Sequence, residues 1–237
     1  MKSIPYQNIT GSLLYAAMAT RPDIAFAVGS LCRFNSNYGY EHWLAAKRVV
    51  RYLKGTQDLS IVYDGNLDNN LSAITHGFSD ADWAGDIDSR KSTSSYVFMI
   101  AGAAVTWSSK AQTSPALSST EAEYVSSTCA AQEAIWLRGI LTDLGSKPAH
   151  PTTIWCDNQS AIALATNETD TSTCMKHIDV RHHFIRHVIA TKHIQIQWCP
   201  TEDQAADILT KALPHVKHEN FVQLLGMVPR LRGGVET

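Results

Sequence analysis

The sequence predicts an α/β fold: a mixed five-stranded sheet flanked by helices and preceded by a helical extension. Three observations carry that prediction. The chain up to about Thr56 has helical character, three short β-rich stretches then follow one another without an intervening helix, and two further stretches alternate with helix-forming segments. A hairpin-built triplet followed by strand–helix crossovers gives antiparallel pairing first and parallel pairing afterwards, hence a mixed sheet with helical cover.

Each element has its own local signal. Leu13 to Ala19 is rich in helix formers, and Pro22 stands where a second helix can start, since proline is tolerated at the first helical position. In "YEHWLAAKRVVRYLKGT", Trp43, Ala46, Val50 and Leu53 recur at spacings of three and four among Lys47, Arg48, Arg51 and Lys54, an amphipathic helix that Gly55 can stop. "LSIVYD" is a short β-rich stretch, and "GNLDNN" after it supplies turn residues. The triplet is "SAITHGFSD", "SSYVFMI" and "AAVTWSS", the last two joined by Ala101-Gly102 as a tight hairpin. Ser118 and Glu121 have the spacing of a capping box at the head of a long helix that Gly145 ends. "TTIWCD" is the fourth strand, "NQSAIALAT" and His177 to Thr191 are helices, "HIQIQWC" is the fifth strand, and "DQAADILTKAL" is expected to be a helix ending near Pro214. The tail "MVPRLRGGVET" is expected to fray. Trp107, Trp155 and Trp198 fall inside strands and read as core residues.

Composition narrows the function. The 237 residues are 44% hydrophobic and 18% charged, enough for one core domain with a smaller helical extension. No run approaches the roughly 18 to 20 apolar residues of a bilayer helix, and no signal-peptide cleavage region is recognisable, so a soluble intracellular protein without a membrane partner is expected. The five cysteines are scattered and odd in number, which argues against a disulfide framework. Cys174 and His177 have a C-x-x-H spacing, but a zinc site normally shows a second tight pair. A net charge of −2 gives no general attraction to nucleic acid, so any such binding must come from local basic clusters.

The acids are more informative. Asp80 ends the first strand of the triplet, Asp157 ends the fourth strand, Glu123 lies in the first turns of the long helix, and Asp207 lies in the last expected helix. Strand ends and helix starts are where α/β sheets carry their sites, so acids from four elements can meet at one edge. Such a cluster repels itself without a cation, because neighbouring carboxylates raise one another's pKa. An oxygen-only donor set suits Mg²⁺, and two ions can clamp the attacking and leaving oxygens of a phosphodiester. Asp82 competes with Asp80, and Glu121 with Glu123; Asp80 is preferred because Asp82 is better placed to start a turn, and Glu121 because of its spacing belongs to the cap.

At these residues the sequence resembles the ribonuclease H domain of copia-type retrotransposon polyproteins. The resemblance rests on "GFSDADWAGD", "RKSTSSYVFMIAG", "WSSKAQTSPALSSTEAEY", "WCDNQSAIALA", "KHIDVRHHFIRH" and "EDQAADILTKAL". "IPYQNITGSLLYAAMATRPDIAFAV" and "HWLAAKRVVRYLKGT" are similar to the segment that follows the polymerase palm of the same polyproteins. The resemblance implies a ribonuclease H-like fold over residues 59–213, a helical remnant of the reverse-transcriptase C-terminal region over 1–58, and a C-terminal helix and flexible tail over 214–237. It implies that Asp80, Glu123, Asp157 and Asp207 are catalytic and hold two Mg²⁺ ions, with Mn²⁺ as a possible substitute, and that the RNA strand of an RNA–DNA hybrid is cleaved to leave 5′-phosphate and 3′-hydroxyl ends. The polymerase part of the parent reverse transcriptase is the implied protein partner, and a cytoplasmic virus-like particle the implied setting in an active element. Two departures stand out: the loop "CPTEDQ" lacks the histidine found there in many cellular ribonucleases H, leaving Glu202 or Asp203 as substitutes, and no Y-x-D-D polymerase motif occurs.

Cations that could hold a polyanion are Arg90, Lys91, Lys110, Lys176 and Arg181, with His182, His183, Arg186 and His187 nearby, although a solvated helix face accounts equally for the histidine-rich segment. Ser and Thr around 91–95 and 108–119 can contact phosphate or a 2′-hydroxyl, or serve as ordinary turn residues. A catalytically silent or co-opted fragment that binds nucleic acid or protein is the alternative from another class. A transposase of similar fold is disfavoured by the early helix position of Glu123 and by the fourth acid, and a serine hydrolase by the absence of G-x-S-x-G.

Overall fold

In the computed structural model the described residues are 4–63, 75–166 and 179–230, and at 179–182 the backbone alone is described. The chain opens with α1 (Tyr6–Ala19), a 3₁₀ turn at Pro22–Ile24, α2 (Ala25–Cys32) and α3 (Tyr40–Gly55). The buried stripe of α3 runs through Trp43, Ala46, Val49 and Leu53, packed on Leu13, Val28 and Leu31. Val50, expected in that stripe, is 40% exposed. At 3.6 residues per turn the seam drifts, and Val49 is the member of the Val49-Val50 pair that faces α1 and α2.

Beyond β1 (Leu59–Ile61) come β2 (His76–Asp82), β3 (Thr93–Ile100), β4 (Ala103–Ala111), the 25-residue α4 (Ser119–Asp143), β5 (Thr152–Cys156), α5 (Gln159–Thr166), α6 (Asp179–Ala190) and β6 (Ile194–Trp198). The five longer strands form one sheet in the order β4-β3-β2-β5-β6, antiparallel from β4 to β2 and parallel from β2 to β6. This is the mixed five-stranded sheet that the sequence predicts, with helices on both faces and the N-terminal helices added. Ala101 (φ 54°) and Gly102 (φ 77°) make the tight β3–β4 turn, where two successive left-handed residues match the twist of the hairpin.

Strand alternation separates two cores. Phe98, Ile154, Ile194 and Ile196 face α4, α5 and α6, where Ala130, Ala131 and Ala134 let α4 lie close to the sheet. Val97, Met99 and Ala104 face the opposite way, onto Ala205, Leu209, Phe221 and Leu225. The N-terminal helices join this second side: Trp107 Nε1 donates to Ala17 O (2.8 Å), and Arg33 bonds Thr93 Oγ1 (3.2 Å). Trp107 and Trp155 are partly buried, but Trp198, expected in the core, is 50% exposed. It ends the edge strand, beyond the helices that cover Ile194 and Ile196.

Two expectations about the C-terminal region change. "DQAADILTKAL" forms only a 3₁₀ helix at Ala205–Leu209, whose five residues are all buried. Burial among Ala104, Phe221 and Leu225, with Thr210 and Lys211 turned onto carboxylates, decides its shape over the good helix propensity of the segment. After α7 (His215–Leu224), Met227–Pro229 does not fray but forms β7, antiparallel to β1. Met227 is fully buried and Gly226 (φ 72°) turns the chain against Ala103, so burial supplies the stabilisation that the local sequence does not advertise.

Candidate active site

The strand register brings two acids to one level. Phe78 on β2 pairs with Trp155 on parallel β5, so Asp80 near the end of β2 and Asp157 just past the end of β5 reach the same edge of the sheet. Glu123 reaches the same edge from the first turns of α4. Ser118 caps that helix, accepting from Glu121 N (3.1 Å), while Glu121 Oε2 accepts from Leu117 N (2.7 Å). Glu121 is thus spent on the turn before the helix, and Glu123, 6% exposed, points inward.

Polar side chains buried between α4 and β2 hold this geometry. Ser126 Oγ bridges Asp80 O (2.7 Å) and Ser95 O (2.8 Å), Ser95 Oγ donates to Ala206 O (3.0 Å), and Gln204 Nε2 donates to Ser79 O (3.0 Å). Gln112 Nε2 ties Ala122 O (3.0 Å) to Ser94 Oγ (2.8 Å). The serines and threonines at 92–95 are therefore mostly internal clamps, all four being buried, and do not form an exposed phosphate-binding surface. Sequence reasoning missed Ser126, Gln204 and Thr210. A run of Ser and Thr in the helix bearing Glu123, at i+3 and i+4 from it, was the available signal.

The acids interact along a chain. Glu123 meets Asp80 on one side and Asp157 on the other, and Asp80 meets Asp207. Burial first, then Asp207, pushes the Asp80 carboxyl up to about 7, although Thr210 Oγ1 donates to its Oδ2 and Lys211 lies near. Burial first, then Asp80 and Asp157, pushes Glu123 up to about 10. Asp157 is partly exposed and its Oδ2 accepts from Thr201 Oγ1 (2.8 Å). Asp207 is fully buried, with Lys217 Nζ 2.8 Å from Oδ2 and Lys211 Nζ 2.7 Å from Oδ1. The Asp82 carboxylate folds over Gly85, close enough that a Cβ there would overlap it; burial raises it, while Lys211 and Arg33 lower it.

Cys156 is an addition to the expected set. Its Sγ and single oxygens of Glu123 and Asp157 all lie within 4.8 Å of one another. Burial, then Glu123, pushes the thiol far up in the metal-free protein, and a thiol is a soft donor that does not suit a hard cation. The remaining donors are carboxylate oxygens, and Glu123 Oε2 is buried with no hydrogen-bond partner. Such an orphaned acceptor among mutually repelling acids fits a hard divalent cation.

Of the expected cations, Arg90 and Lys110 are exposed and Lys91 is partly exposed. Arg90 and Lys91 lead into β3, and Lys110 pairs with Ser94 across β3–β4. Lys176, Cys174 and His177 lie outside the described residues, as does the Arg181 side chain. Arg186 donates to Leu164 O (3.1 Å), a packing role. None of the described helices is long and apolar enough to cross a membrane.

No protein-family model matches the chain. The retrovirus-related Pol polyprotein from transposon TNT 1-94 of Nicotiana tabacum is 43% identical over 227 residues, 96% of this chain and 17% of that polyprotein. The chain is homologous, over most of its length, to one segment of the Pol polyproteins of copia-type retrotransposons. It spans about a sixth of the length of such a polyprotein. Secreted RxLR effector protein 161 of Plasmopara viticola is 48% identical over 137 residues, 58% of this chain and 94% of that protein. Among solved structures, RNase H1 from the halophilic archaeon Halobacterium salinarum NRC-1 aligns with a TM-score of 0.42 and 16% identity over 57% of this chain and 93% of that one.

Proposed function

We propose that this Pol segment is a ribonuclease H that hydrolyses the RNA strand of an RNA–DNA hybrid during retrotransposon reverse transcription. The observation that carries the reading is the buried chain of acids Asp157, Glu123, Asp80 and Asp207, with Glu123 Oε2 unpartnered and two members raised well above the carboxylate range. The fold is intolerant of that charge without a cation, which marks a site kept for binding one. Asp80, Glu123, Asp157 and Asp207 would hold two Mg²⁺ ions. When bound, these supply charge that activates water for attack on the scissile phosphorus and that stabilises the departing 3′-oxygen.

The chain's own residues do the rest. Ser126 and Ser95 fix the Asp80 backbone against α4 and the 3₁₀ helix, so the carboxylate of β2 and that of Glu123 keep their separation when phosphate approaches. Thr210 orients Asp80 Oδ2, and Thr201 orients Asp157 Oδ2, leaving the other oxygens to coordinate. Arg90, Lys91 and Lys110 would pair with backbone phosphates of the hybrid, and Lys176 and Arg181 would extend that track. The N-terminal helices, held through Trp107 and Arg33, would present this domain to the polymerase part of the polyprotein.

Purified chain incubated with Mg²⁺ and a labelled hybrid should release RNA fragments, and Asp157→Asn should not. Failure of the unmodified chain to cleave, or equal cleavage by both, refutes the reading. A second reading, a co-opted fragment that binds without catalysis, is favoured by the match to an effector along nearly its whole length. It predicts hybrid or protein binding that Asp157→Asn leaves intact, with no cleavage.

A further inference from the structure

Asp207 differs from its neighbours in carrying its own counterions. Both of its oxygens lie within ion-pair distance of an ammonium, Lys211 Nζ at 2.7 Å from Oδ1 and Lys217 Nζ at 2.8 Å from Oδ2, and only the Lys217 contact has hydrogen-bond geometry; among the described residues Glu123 Oε2 has neither a hydrogen bond nor an ion pair. Lys211 stands just past the 3₁₀ helix, at i+4 from Asp207, and Lys217 comes from α7 with its ammonium 5.1 Å from the centre of the Phe221 ring. The Asp207 side chain is wholly buried, but those of Lys211 and Lys217 are 41% and 34% exposed. A flexible lysine anchored by its stem at a half-open position can release its head to water without unpacking the fold.

On the reading of the site as a two-metal nuclease, we propose that Lys211 and Lys217 are positioning residues that act as internal cations and compete with a divalent ion for Asp207, so that the site fills in two unequal steps. The first ion goes to Glu123, Asp80 and Asp157, none of which forms an ion pair among the described residues, although Lys211 lies near Asp80. The second requires Asp207 and enters only as Lys217 withdraws. Charge-assisted contacts to a buried carboxylate are strong, and the second ion must replace them. Helix α7, although outside the five-stranded sheet, thereby sets how readily the site becomes fully loaded.

Mn²⁺ binding to the full chain, followed through the electron paramagnetic resonance signal of the free ion, tests this without reference to cleavage. The unmodified chain should show one tighter and one weaker ion. Lys217→Met, which keeps the stem on Phe221, should tighten the weaker ion about fivefold to tenfold and leave the tighter one unchanged. Lys211→Met should act in the same direction, Lys217→Arg should restore the weak step, and Lys54→Met on the exposed face of α3 should change nothing. Should Lys217→Met fail to fold, as judged by circular dichroism, Lys217→Gln and Lys211→Met carry the test. Two equal ions in the unmodified chain, or unchanged weak binding in the lysine variants, overturns the competition while leaving the metal site standing. Absence of Mn²⁺ binding by every variant overturns the two-metal reading itself and this inference with it.

Discussion

Replacing Asp80 by Asn should stabilise the metal-free protein while abolishing cleavage. Asp80 is 3% exposed, and its carboxyl is pushed from 3.8 to about 7 by burial and by Asp207. A folded-state value above the unfolded one means that the native state binds more protons across this window. Stability contributed by the neutral carboxyl is therefore complete below about pH 4 and declines as pH rises to about 7. At 1.36 kcal/mol per unit, the rise amounts to about 4 kcal/mol of lost stability at pH 8. An amide at this position carries no charge and still accepts from Thr210, but it remains a buried polar group, so a net gain of about 1 to 3 kcal/mol is expected. For a domain of this size that is a Tm increase of about 3 to 10 °C. Calorimetry without divalent ions should show this gain at pH 8 and its disappearance near pH 4. Mg²⁺ should raise the Tm of the unmodified chain and have little effect on Asp80→Asn. A variant whose Tm at pH 8 is equal to or below that of the unmodified chain, or whose difference is independent of pH, refutes the argument from buried charge.

Other substitutions probe the supporting structure. Ser126→Ala removes a buried hydroxyl that donates its one proton between Asp80 O and Ser95 O and accepts from Ser95 N, joining α4 to β2 and β3, and should cost about 1 to 3 kcal/mol, read as a lowered urea midpoint. Cys156→Ala should retain Mg²⁺-dependent cleavage within a few-fold, and the native Cys156 thiol should resist alkylation at pH 8; loss of activity comparable to that of Asp157→Asn would instead make the thiol a ligand. Gly226→Ala places a Cβ 2.5 Å from that of Ala103 at a left-handed position and should cost more than about 2 kcal/mol, with amide exchange accelerating in β1 and β7.

Much of this was legible in the chain because its signals are local. The triplet of strands, the Ala101-Gly102 turn, the Ser118 cap and the positions of Asp80, Asp157 and Glu123 at element ends all follow from patterns a few residues long. The 3₁₀ helix at Ala205–Leu209 and the β1–β7 pairing were not legible, because each is decided by partners far away in sequence: Ala104 and Phe221 for the first, Leu59 and Gly226 for the second. Trp198 and Val50 failed for the opposite reason. The helices covering Ile194 and Ile196 end before Trp198, and the seam of α3 drifts onto Val49 and leaves Val50 outside.

The sequence by itself predicted the five-stranded sheet with its flanking helices and the resemblance to retrotransposon Pol polyproteins, and singled out four acids, since helix and strand periods, caps and long matching blocks are properties of the chain alone. Only the tertiary structure decided how those acids relate. Register brings Asp80 and Asp157 to one edge, burial raises Asp80 and Glu123, Asp82 is drawn to Gly85, and Asp207 is met by Lys211 and by Lys217 from α7. Charge, burial and distance between residues far apart along the chain are fixed only when the chain is packed, and the chemistry of a carboxylate cluster depends on all three.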